Sequence, residues 1–135
     1  MSASSSLLLA RVILGLGALT LAALGAAFLA APDTMAALIE LELATPLARS
    51  DVRAVYGGLE LGLALLQLTW LRSAETVRRG VQLHLAIWGG LAFGRGIGLL
   101  CSEDPAASGI GLFGTELAGL GLGVVAWYAM RRSAP

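Results

Sequence analysis

Four apolar stretches, each long enough to cross a bilayer as a helix, dominate this chain of 135 residues. A crossing takes about 20 residues, and the stretches fall at about 7–31, 51–71, 80–100 and 109–130. Inside a bilayer the backbone finds no water, so each segment must satisfy its own amide and carbonyl groups, and a helix does this. Barrel strands would be shorter and would alternate apolar with polar residues. These stretches do neither. The expected fold is all-α: an integral membrane four-helix bundle, one domain over residues 1–135.

The composition agrees. Hydrophobic residues make up 57% of the chain and charged residues 13%, against roughly 45–50% and 25% in soluble domains. All nine basic residues are arginine and nine acids balance them. A neutral chain without a basic run is a poor partner for nucleic acid. Cys101 stands alone, which excludes an intrachain disulfide. The first stretch is too long for the core of a cleaved signal peptide, and its one charge, Arg11, follows a serine-rich start, so it reads as a spanning helix.

Arginine placement sets an expected orientation. Arg72, Arg78 and Arg79 fall in the second connection, Arg131 and Arg132 follow the fourth stretch, and Arg11 flanks the first. The opposite side carries Arg49 with Asp33, Glu40, Glu42, Asp51, Glu103 and Asp104. The positive-inside rule puts both termini in the cytoplasm, in a bacterial inner membrane. The connection over 32–50 reads as a membrane-surface loop, opened by a Pro32-Asp33 helix stop. A short interfacial helix or lid near Ala36–Leu43 is the alternative.

Small residues suggest packing seams, because helices in lipid associate where backbones approach closely. Gly15, Ala18, Ala22 and Gly25 form one stripe, Gly90, Gly94 and Gly98 a second, Gly119 and Gly123 a third. Some of these suit a homo-oligomer. Gly57-Gly58-Leu59-Glu60-Leu61 also resembles Phe113-Gly114-Thr115-Glu116-Leu117, a faint sign of two related hairpins.

Four ionisable residues within the apolar stretches are the lead to function: Arg53, Glu60, Arg95 and Glu116. A charge near the bilayer centre costs a few kcal/mol or more and ordinarily faces a partner or a wet cavity. Helical spacing puts Arg53, Tyr56, Gly57 and Glu60 on one face, His84, Trp88, Leu91 and Arg95 on another, and Phe113, Glu116, Leu120, Gly123 and Trp127 on a third. A rise of ~1.5 Å per residue puts Arg95 about 8 Å, Glu116 about 10 Å and Glu60 about 13 Å below the outer surface, with Arg53 near it. The expectation is one polar cluster in the outer half of the bilayer, with Tyr56 within reach. His84, one turn from the expected cytoplasmic end, reads as interfacial. No second ligand at metal spacing accompanies it, so no metal is expected, and no cofactor motif is present.

The stretch Asp51-Val52-Arg53-Ala54-Val55-Tyr56-Gly57-Gly58-Leu59-Glu60 resembles the signature of domain-of-unknown-function family 4345, small bacterial membrane proteins distantly similar to the DoxX-like four-helix proteins. Ala31-Pro32-Asp33, Gly94-Arg95 and Glu116 extend the similarity over most of the chain. The resemblance implies four helices and the cluster Arg53, Tyr56, Glu60, Arg95 and Glu116. It implies no particular activity.

Three functions fit these residues. The first is binding of a lipophilic small molecule, its body among leucines and aromatics and its polar head on the arginine–glutamate cluster. The second is an intramembrane isomerase, cyclase or hydrolase with Glu60 and Glu116 as an acid–base pair. The third is an accessory or assembly subunit of a larger membrane complex, its charges paired internally.

Overall fold

The computed structural model describes residues 2–103 and 106–132. Asp104, one of the acids assigned to the outer side, lies outside the described residues, as do Ser133 and Ala134. Among the described residues the chain is helical throughout, without strands, in five helices. Helix α1 is Ala3–Ala30 and α2 is Pro32–Leu38. Helix α3 runs over 46–69, as Pro46–Val52, a π-helical stretch Arg53–Leu59, and Glu60–Thr69, with right-handed helical backbone angles at both junctions. Helix α4 is Ala74–Cys101 and α5 is Ala107–Arg131. Three of them, α1, α4 and α5, are long and apolar enough to cross a membrane, the pattern of a multi-pass membrane protein.

The four expected long helices are present, and a fifth is added. Helix α1 stops at Ala30, just before Pro32, and Pro32 opens the next helix. It occupies the first turn of α2, where a missing N–H costs nothing. Helix α2 closes with the N–H of Leu41 on the Ala36 carbonyl at 2.9 Å and that of Glu40 on Ala37 at 3.2 Å. This is the Schellman closure, and it puts Glu40 in left-handed backbone at φ 59°. Pro46 then opens α3 behind Thr45, whose hydroxyl accepts the Ala48 N–H at 3.1 Å. The expected surface loop is thereby reduced to residues 39–45.

Helix α4 begins six residues earlier than the apolar pattern suggests. Ser73 caps it, accepting from the Thr76 N–H at 3.2 Å while the Thr76 hydroxyl receives the Ser73 N–H at 3.3 Å. This reciprocal box fixes a polar first turn that hydropathy assigns to a loop.

The chain forms two compact units, one of residues up to Gly17 and from Gln67 onward, the other Ala18–Leu66. In the first, Ala10, Ile13 and Leu14 of α1 pack with Val77 and Val81 of α4 and Ala126 of α5, all at most 4% exposed. Gly80 makes room for Leu14, which a Cβ there would meet at 2.7 Å. In the second, α1 and α3 cross at glycines. A Cβ on Gly25 would lie 2.8 Å from the Gly57 carbonyl, and one on Gly57 would lie 2.7 Å from Leu29.

The glycine stripes sort differently from expectation. Gly119 and Gly123 are buried seams. Gly15, Gly90, Gly94 and Gly98 have no other atoms within 4 Å of a built Cβ. The reason is phase. Helix α4 buries Val77, Val81, His84, Trp88 and Ala92, and the 90–94–98 row lies two residues, about 200°, from that stripe.

Candidate functional site: an intramembrane ion pair and a buried histidine seam

Helices α4 and α5 face each other along one seam in the first unit. Arg95, late in α4, donates from Nε to Oε1 of Glu116 on α5 at 2.7 Å. The Glu116 side chain is 6% exposed and that of Arg95 33%. Oε2 of Glu116 is buried and has no hydrogen-bond partner among the described residues. Gly96 accommodates Phe113 beside the pair, at 3.4 Å from a built Cβ.

Further along the seam lies His84. Its Nε2 is 3.0 Å from the Gly119 carbonyl oxygen. A carbonyl only accepts, so Nε2 carries the hydrogen and Nδ1 of the neutral ring is an acceptor. His84 is 2% exposed, not interfacial as its distance from the apolar boundary suggests. Ten residues of α4, about 15 Å, precede it, because the helix starts at its polar turn. Trp88 lies one turn on, its ring centroid 5.9 Å from that of His84. A Cβ on Gly119 would overlap the indole. Glycine is what lets α5 receive both rings.

The second unit holds the Arg53–Glu60 segment. Arg53 Nε donates to the Leu29 carbonyl at 3.3 Å, covering an orphan carbonyl in the last turn of α1. The Tyr56 ring lies 5.1 Å from Phe28. Glu60 is half-buried and joins no ion pair among the described residues, with Oε2 unpartnered. Arg53, Tyr56 and Gly57 all meet α1, as a shared face requires. Glu60 follows a π turn, which closes i→i+5 and inserts a residue, so it leaves the α-helical phase set by Arg53 by about 100°. Glu116, its counterpart in the faint repeat, sits in regular α-helix.

Of the expected cluster, the structure therefore pairs Arg95 with Glu116, turns Arg53 to a helix end and leaves Glu60 without an arginine. Gln67 and Gly17 escaped the sequence reading. Gln67 is 0% exposed, and neither atom of its amide has a partner among the described residues. A lone amide inside an apolar stretch was the available signal.

One end of the first unit gathers arginines. Arg11 Nη2 reaches the Arg72 carbonyl at 3.5 Å. The Arg78 and Arg131 guanidinium carbons lie 5.6 Å and 4.9 Å from the Trp127 ring centroid.

Comparison with known families matches residues 9–128 to Domain of unknown function (DUF4345). The chain belongs to that family. The match spans α1 through most of α5, and so includes Arg53, Tyr56, Glu60, Arg95 and Glu116 of this DUF4345 protein. No curated protein and no solved structure matches the chain. Among the described residues no group of three His, Cys, Asp or Glu is placed to hold a metal ion in this DUF4345 chain.

Proposed function

We propose that this protein binds a lipophilic small molecule within the membrane, with the ligand's polar head on the Arg95–Glu116 pair. One observation carries this reading. The pair engages only the inner nitrogen of Arg95, whose side chain is one-third exposed beside a buried carboxylate. Its terminal nitrogens are the donors an acceptor-rich head group, such as a carboxylate or phosphate, would take in bidentate fashion. Small-molecule sites join a few such polar groups to apolar walls.

Native mass spectrometry of protein purified in mild detergent tests the proposal. A defined lipophilic species should accompany the wild type and fall at least tenfold in Arg95→Gln, since a charged hydrogen bond is worth roughly 1.5–3 kcal/mol. The same unselective lipid mixture on both proteins would refute it.

A second reading has its own support. Glu60 and Glu116 each keep one buried carboxylate oxygen without a partner among the described residues, as a proton-transferring group requires. Turnover of a lipophilic substrate that survived Glu60→Gln and Glu116→Gln would eliminate it.

We also infer an inner-membrane location with both termini cytoplasmic. The gathering of Arg11, Arg72, Arg78 and Arg131 at one end supports this, because arginines mark the cytoplasmic side, and Trp127 beside them suits a membrane interface on either side. A C-terminal alkaline phosphatase fusion should be inactive; an active fusion would reverse the orientation.

A further inference from the structure

We propose that Gln67 and His84 form a buried seat for one hydroxyl oxygen, independent of the Arg95–Glu116 reading. His84 and Gln67 are 2% and 0% exposed. Both crowd the α1 backbone at the same spot. A Cβ on Gly17 would lie 2.7 Å from His84 Nδ1 and 3.3 Å from Gln67 Oε1. The imidazole edge and the amide oxygen thus both pack against the Gly17 backbone, an approach that any side chain at residue 17 would block.

Three polar atoms of these two side chains have no partner among the described residues: His84 Nδ1, Gln67 Oε1 and Gln67 Nε2. Buried polar groups in folded proteins are satisfied almost without exception, by protein or by a bound group. The chemistry of the three narrows that group. Because Nε2 donates to Gly119, Nδ1 needs a hydrogen from its partner. The amide of Gln67 offers N–H donors, and its oxygen and nitrogen exchange places by a simple flip.

A ketone or quinone carbonyl has no hydrogen for Nδ1. A carboxylate has none either, and an ammonium has no lone pair for the amide. A hydroxyl gives its hydrogen to Nδ1 and accepts from Gln67 Nε2, and water adds a second hydrogen for Gln67 Oε1. Two sources supply one, a water molecule or the hydroxyl of a lipophilic alcohol.

His84 is the only histidine in the chain, so ring-15N histidine labels this site alone. In phospholipid nanodiscs, the wild type should show the Nε2–H tautomer with Nδ1 shifted upfield of a free acceptor, and Gln67→Leu should return Nδ1 to the free-acceptor position. A cross-peak from the ring to water identifies water. Loss of that peak on adding farnesol, but not farnesyl methyl ether, identifies the alcohol. A free-acceptor Nδ1 or an Nδ1–H tautomer in the wild type overturns the proposal, whether or not the Gln67 variant folds. An unchanged Nδ1 in a folded Gln67→Leu protein, checked by circular dichroism, overturns it as well.

Discussion

Arg95 and Glu116 hold each other across 2.7 Å between α4 and α5, the arginine partly exposed and the glutamate almost wholly enclosed. That asymmetry makes single substitutions worse than the double one. Arg95→Leu strands an enclosed carboxylate, at about 3–5 kcal/mol, whereas replacing both partners with leucine is commonly near neutral. Thermal unfolding in mild detergent should rank the double variant above Arg95→Leu; equal melting points would show the pair contributes nothing to the fold.

Glycines that look alike in sequence should respond oppositely to alanine. A Cβ at 119 would overlap the Trp88 ring, so Gly119→Ala should lose roughly 1–3 kcal/mol through overpacking. A Cβ at 90 meets nothing within 4 Å, and Gly90→Ala should gain up to about 1 kcal/mol of helix propensity. The contrast in melting temperature checks the phase of α4.

Glu40 closes α2 from left-handed backbone, which penalises a side chain by roughly 1–2 kcal/mol. Glu40→Gly should therefore stabilise the protein by about 1 kcal/mol in denaturant unfolding. A loss instead would mean that the glutamate side chain contributes more than its backbone costs.

The box at the start of α4 should be worth a comparable amount. Ser73→Ala removes the acceptor for the Thr76 N–H and should cost about 1 kcal/mol. Hydrogen exchange of the amides at 74–77 should rise without a matching rise deeper in α4.

Hydropathy reveals the long helices because spanning segments must be continuous and apolar, and it is poor at their ends for the same reason. Glu75, Arg78 and Arg79 belong to α4, yet their charges make them read as a loop. That displaced boundary moved His84 to the interface on paper and hid its burial. Helical spacing anticipated Arg95 and Glu116 on facing stripes, since both helices are regular there. It failed at Glu60, where the π stretch breaks the period on which spacing depends. Gly17 and Gln67 became visible only once the end of α3 and His84 of α4 were seen against α1.

The π stretch Arg53–Leu59 acts as a slipped tooth in a gear. At its start Arg53 holds α3 to the end of α1; just past its end Glu60 follows on a phase shifted by the inserted residue. Removing one residue from that stretch would rotate everything after it by about 100° relative to everything before. A single-codon deletion there would leave composition and hydropathy nearly untouched while pointing Glu60 elsewhere.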